Sequence, residues 1–212
     1  MKQLYPDIWQ SKLEVPFGNV HAHAYLIQRD EGNVLIYNTS HEDELDHIQS
    51  LGGLEAQFLS HVDETGPSLE LIRSRFDSKL YCHADEESAV AKTCVVDMLF
   101  TEEVETHHGI DVLHTPGHSI GSVTYLYRSP HGKSYLFTGD TLFRSHDDWQ
   151  TFAIPSAGGN TGALIRSLQQ YRKLSPDVVL WSASGGGKNA YAEPSKNEWD
   201  AIVDSVIEKL AK

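Results

Sequence analysis

Four polar residues stand where runs of apolar residues give out: His61 after AQFLS, His118 after IDVLHTPG, Asp140 after SYLFTG and Ser184 after DVVLWSA. In open α/β sheets ligands bind beyond the carboxyl ends of strands, so this placement marks a candidate site. The residue types suit metal or proton chemistry, since histidine is the commonest metal ligand and the usual acid–base side chain. The chain has 12 histidines, so placement must separate the working ones from surface ones. His21 and His23, two apart on a strand, share one face and read as an exposed strand face. His107 and His108 precede Gly109 and read as a turn, while His83 beside Asp85 follows a strand end. The GGGK run at 185–188 lacks phosphate-loop spacing: Ser182 stands where the first Gly belongs, and Asn189 where Ser or Thr belongs. It reads as a loop, with Lys188 able to touch an anion. His146, Asp147, Asp148 and Trp149 form a polar–aromatic loop after Asp140.

The elements that must position these residues are legible in the pattern. Residues 20–28 and 33–38 read as strands joined by an Asp-Glu-Gly turn, a hairpin. Ser40 and Asp43 have capping-box spacing ahead of a short helix ending at Gly52-Gly53. Strand and helix then alternate: 56–61 strand, 68–76 helix, 79–84 strand, 85–94 helix, the signature of βαβ units. Strands follow over 110–116, 122–129 and 133–140. Asn160 or Thr161 caps a helix running to Leu174, and 177–184 is another buried strand. Ser195 and Glu198 have the spacing of a second capping box. Trp199, Ile202, Val203, Val206, Ile207 and Leu210 behind them make an amphipathic helix with one face on a sheet.

Composition bounds the function. Lys and Arg number 17 against 30 Asp and Glu, a net charge of −13, which argues against nucleic acid as the main partner. The same acidity suits a cytoplasmic protein. No run of 18 apolar residues occurs, so no membrane helix is expected, and MKQLYPDIWQ lacks the apolar core of a secretory signal. Cys82 and Cys94 are too few for a disulfide scaffold and read as small buried hydrophobes. With no repeat and no linker, residues 1–212 read as one domain.

HTPGHSIGS at 114–122, followed by YLFTGDTLF at 135–143, resembles the metallo-β-lactamase superfamily, most closely its glyoxalase II-like branch. HAYLIQ at 23–28 resembles its early strand. LSHVDETG at 59–66 falls where its HxHxDH loop belongs, and 167–184 resembles the helix and strand before its last ligand. The resemblance implies a four-layer αββα sandwich of two mixed sheets with helices outside and a metal cleft along one edge. It also implies that His61, His118 and Asp140 are metal ligands converging on one point.

The loop departs from the family. Asp63 stands where the second His would be, Thr65 replaces the Asp, Gly66 replaces the third His, and Ser184 or a neighbour falls where the last His is expected. Only Asp140 remains of the family's second metal site, so the expectation is one ion at most. Zinc and iron both suit two histidines with one or two carboxylates. Asp63 is then a further ligand or a base, and Glu64 shares those two roles.

Three functions follow. The first is a one-metal hydrolase of a small ester, thioester or amide. The second is a mononuclear iron oxygenase like the superfamily's persulfide dioxygenases, which carry iron at the same three positions. The third is a non-catalytic binding protein, with no metal, on a disused hydrolase scaffold. Sequence leaves the oligomeric state open.

Overall fold

The computed structural model describes residues 1–16, 18–186 and 190–212. Gly187, Lys188 and Asn189 of the glycine-rich loop lie outside them. The chain divides into two compact units, Met1–Thr101 and Glu102–Lys212.

The first unit carries β1 (Lys2–Tyr5), β2 (Ile8–Gln10), β3 (His21–Ala22), β4 (Tyr25–Ile27) and β5 (Val34–Ile36). Helix α1 (Glu42–Ser50), β6 (Ala56–Phe58), α2 (Ser68–Phe76), β7 (Lys79–His83), α3 (Glu87–Val90) and β8 (Met98–Phe100) complete it. Its seven-stranded sheet runs β1-β2-β4-β5-β6-β7-β8. The hairpin half is antiparallel, and β5 through β8 are parallel. Strands β4, β5 and β6 are buried at every position, which is why β4 and β5 read as unbroken apolar runs instead of alternating, while β6 also buries Gln57. Leu69 of α2 packs with Leu80 and Cys82 of β7, and with Leu59, Val90 and Cys94, in one apolar cluster. Both cysteines are therefore buried and free. Burial pushes the Cys82 thiol up to about 12 and the Cys94 thiol up to about 11.

The second unit carries β9 (Val104–His107), β10 (Ile110–His114), β11 (Val123–Arg128), β12 (Ser134–Phe137), β13 (Phe143–Ser145) and β14 (Asp148–Gln150). Helix α4 (Thr161–Tyr171), β15 (Val178–Leu180), β16 (Ala183–Ser184), β17 (Tyr191–Ala192) and α5 (Lys196–Leu210) follow. Its main sheet runs β17-β15-β12-β11-β10-β9, antiparallel except where β12 lies parallel to β15. Asn160 caps α4 by accepting from the Ala163 N–H. Ser195 and Glu198 close a reciprocal capping box on α5, which buries Trp199, Val203 and Val206. The Trp199 Nε1–H donates to the Tyr171 carbonyl at 2.9 Å, tying α5 to α4. Tyr171 in turn meets Thr124 Oγ1 of β11 at 2.5 Å, fixing α4 against the sheet. His108 occupies the turn between β9 and β10 at φ 51°.

The loop expected after Asp140 is a hairpin of β13 and β14, with Trp149 edge-on to Trp181. Short-range polarity hid it, since Asp147 and Asp148 sit at an exposed tip. Among the described residues no helix is long and apolar enough to cross a membrane.

Candidate metal centre

In the first unit His61 follows β6 and opens a single 3-10 turn, Val62–Glu64. Such a turn places residues three apart over one another, and Glu64 folds back onto His61. Its carboxylate Oε2 accepts from the Ser60 backbone N–H at 2.7 Å, and Oε1 accepts from the Ser60 hydroxyl at 2.5 Å. His61 Nδ1 lies 2.9 Å from that hydroxyl oxygen and 3.2 Å from Glu64 Oε1. Asn38 steadies the turn by donating to the Glu64 carbonyl at 2.9 Å. His61 is buried and Asp63 exposed, with a ring nitrogen and a carboxylate oxygen of the two within 4.8 Å. Thr65 and Gly66 continue the loop into α2, and the Gly66 carbonyl accepts from the Leu69 N–H at 3.1 Å.

In the second unit His118 sits in the tight turn between β10 and β11, and Asp140 in the turn after β12. His118 is fully buried, and its Nε2 lies 3.8 Å from Asp140 Oδ2. A tetrahedral zinc shell with bonds near 2.1 Å spaces its ligands about 3.4 Å apart, so the pair stands close to the spacing that a shared ion requires. The backbone carbonyl of Phe152 accepts from His118 Nδ1 at 3.0 Å. Asp140 Oδ1 accepts from the Ser182 hydroxyl at 2.6 Å. The rigidity of the His118 turn comes from the segment 152–160, laid against it as a strap. Ile154 N–H donates to the His118 carbonyl at 2.8 Å, Asn160 N–H to the Gly117 carbonyl at 2.9 Å, and Ile120 N–H to the Ala157 carbonyl at 2.9 Å. Only glycine allows this approach. A Cβ at Gly159 would meet the His118 carbonyl oxygen at 2.0 Å, and one at Gly117, whose φ is +137°, would meet the Leu164 nitrogen at 2.3 Å.

The donors fit a divalent metal by their chemistry. A carbonyl oxygen only accepts, so Nδ1 of His118 carries the proton and Nε2 the lone pair. The Ser60 hydroxyl gives its one proton to Glu64, and the carboxylate also only accepts, so Nδ1 of His61 is likewise the donor. Imidazoles whose Nδ1–H is held by an oxygen, with Nε2 ligating, are the usual form in metal sites.

Sequence reasoning missed two contributors. Ser182, rather than Ser184, reaches Asp140, two residues nearer the strand end. Phe152 supplies the His118 anchor through its backbone, and its ring stands edge-on to His118 with centroids 4.7 Å apart. Neither had a local signal, because a backbone carbonyl can come from any residue. Among the remaining histidines, His23 Nδ1 contacts the Ser11 carbonyl at 2.9 Å, and burial lowers its pKa. His83 Nδ1 accepts from the Asp85 N–H at 3.2 Å as a cap on the next turn.

Comparison with known proteins places the chain in a family. Residues 69–183 match the family model of the metallo-β-lactamase superfamily. The chain is similar to YqgX of Bacillus subtilis, described as a probable metallo-hydrolase: 25% identical over 207 residues, 86% of this chain and 94% of that protein. It is 27% identical to a hydroxyacylglutathione hydrolase of Trichodesmium erythraeum over 148 residues, 66% of this chain and only 54% of the relative. Among solved structures, TTHA1623 in a di-iron-bound form superposes with a TM-score of 0.65 at 26% identity, covering 84% of this chain and 93% of that one.

Proposed function

The chain belongs to the metallo-β-lactamase superfamily, and from that premise we propose that it is a metal-dependent hydrolase of small ester, thioester or amide substrates. In this reading, as the family resemblance implies, His61, Asp63, His118 and Asp140 would be the ligands of one divalent ion. A bound ion of this kind polarises the scissile carbonyl and brings its water's pKa towards neutrality. The observation that carries the reading is that His118 and Asp140 each have their outward atom fixed, by the Phe152 carbonyl and the Ser182 hydroxyl, with the inward atoms 3.8 Å apart.

The chain's own residues bind and orient. Phe152, 46% exposed as a residue and with its ring edge-on to buried His118, is an apolar wall for the substrate's acyl or leaving group. Thr65 stands where the family's water-orienting Asp belongs, and lost acid–base help of that kind costs about 10²–10⁴-fold in rate. The enzyme is therefore slow, or specialised for reactive substrates. Thr65, Gly66 and Ser184 offer none of the second-site donors, which favours one ion where TTHA1623 is described as holding two irons. Iron as the single ion fits the same donors, and that relative supports it. No nucleic acid or membrane partner is part of this reading, and the protein acts in the cytoplasm.

Elemental analysis beside a hydrolysis assay on aryl ester and thioester probes tests the proposal. One equivalent of zinc or iron, with turnover lost in His118→Ala, is the expected result. Two equivalents overturn the single-ion reading. Oxygen consumption with a thiol-derived substrate and no hydrolysis replaces the hydrolase with an oxygenase. No metal uptake at all leaves only the non-catalytic scaffold.

A further inference from the structure

Glu64 stands beside the candidate metal loop as one more carboxylate, a ligand or base by sequence. Its side chain is 7% exposed, and its oxygens are already committed. Oε2 takes the Ser60 N–H, while Oε1 takes the Ser60 hydroxyl and faces His61 Nδ1 at 3.2 Å. We infer that Glu64 is a positioning residue: with Ser60 it holds the His61 ring from behind and sets the tautomer that presents Nε2.

The proton count gives this direction. Ser60 has one hydroxyl proton, and the 2.5 Å contact commits it to Glu64. Towards His61, both Ser60 Oγ and Glu64 Oε1 can only accept, so Nδ1–H is the shared donor. The backbone makes the arrangement local. A 3-10 turn eclipses residues i and i+3, and the Glu64 N–H donates to the His61 carbonyl at 3.3 Å, which closes that turn. Asn38 clamps its far end through the Glu64 carbonyl. A neutral imidazole free in water samples both tautomers, and one anchored on Nδ1 by a carboxylate is restricted to the ligating form. Outer partners of this kind are worth about 10–100-fold in metal affinity.

The inference rests on the metal-site reading for its purpose, but not for its first measurement. Long-range nitrogen-15 correlation spectra of the metal-free protein report the His61 tautomer directly. Wild type is expected to show Nδ1–H with Nε2 unprotonated. Glu64→Ala is expected to lose that preference. Glu64→Gln, whose amide oxygen still accepts, is expected to keep most of it. A wild-type His61 protonated on Nε2 overturns the inference without any variant being made. Zinc titration against a chromophoric chelator is the second arm: Glu64→Ala weaker by about 10–100-fold and Glu64→Gln falling between it and wild type. Unchanged tautomer and unchanged affinity in Glu64→Ala sink the positioning role. Should wild type take no zinc, the metal reading fails by itself, and the tautomer arm still decides the role of Glu64. A Glu64→Gln protein that binds zinc like wild type yet loses hydrolysis would make Glu64 a base and overturn the inference.

Discussion

Replacing Gly159 by alanine tests whether the 152–160 strap sets the His118 turn. The new Cβ would sit 2.0 Å from the His118 carbonyl oxygen and 2.7 Å from that of Gly117, and 2.8 Å from the His118 carbonyl carbon. Ordinary contact begins near 3.4 Å, so the strap must withdraw by more than an ångström, and backbone cannot give as a flexible side chain would. The hydrogen bonds from Ile154 to the His118 carbonyl and from Asn160 to the Gly117 carbonyl bracket the contact at 2.8 and 2.9 Å. A retreat of that size breaks both. Each is worth about 1 kcal/mol net, and a buried donor left unsatisfied costs about 1–3 kcal/mol, so the expected loss is about 3 kcal/mol. With a urea slope of about 2 kcal/mol/M the midpoint falls by roughly 1.5 M. Gly162→Ala, three residues on, is the control. Its Cβ meets Asn160 Oδ1 at 3.6 Å and Arg166 Nη1 at 3.7 Å, which are ordinary contacts inside α4. Alanine in place of glycine there stabilises by about 0.5–1 kcal/mol. Opposite signs from one substitution in one segment are the expected outcome. A Gly159→Ala midpoint at or above that of wild type would refute the strap.

Cys82 and Cys94, pushed up to about 12 and about 11 by burial, should not react with a thiol-directed disulfide reagent at pH 8 until denaturant is added, when two thiols per chain appear. Because the folded-state values lie above the unfolded ones, the unfolded chain loses its thiol protons first. Stability should therefore fall as pH rises from about 9 towards those values, and Cys82→Ser should flatten that limb in alkaline urea titrations. Asp97 is held below its ordinary value, first by the Arg73 guanidinium, which donates to it at 3.0 Å twice, and also by the Leu80 N–H. Its contribution is present above the unfolded value near 4 and is lost as pH falls through the lower folded one, so Asp97→Asn should be less stable at pH 7 and show a shallower acid limb. Ser182→Ala should weaken zinc binding about 10–100-fold in chelator competition by freeing Asp140 Oδ1, with unchanged affinity showing that Ser182 does not position Asp140.

The elements that carry the site were legible because their signals are local. Helix α2 occupies the span 68–76 read from SLELIRSRF, and the Asn160 cap and the Ser195–Glu198 box stand where spacing put them. Apolar runs ending in His61 and Asp140 marked β6 and β12 for the same reason: a buried strand must be apolar, and the residue that leaves it is free to be polar. The hairpin at 143–150 was not legible, since its strands are three residues each and its tip is charged. The stretch from 85 to 94, read as one helix, has only four residues of α-helix at Glu87–Val90 and then turns.

What surrounds the candidate ligands was out of reach for a different reason. Asp140 is steadied by Ser182 from a bend 42 residues away, and His118 by the carbonyl of a residue 34 away. A carbonyl leaves no mark on sequence, and one serine in SAS looks like another. The glycines at 158–159 did leave a mark, and a Gly-rich piece in a sequence ordinarily reads as slack. Here it is the reverse. Gly159 touches the His118 turn so closely that no side chain fits, and four hydrogen bonds between strap and turn hold the approach. A glycine required for contact and one tolerated for looseness are the same letter, and only the atoms facing it tell them apart. The rule reaches the metal loop as well. Glu64 and Asp63 are adjacent carboxylates of similar chemistry, yet the 3-10 turn buries one against the back of His61 and leaves the other exposed. The difference between a positioning group and a candidate ligand is one residue of register in a single turn.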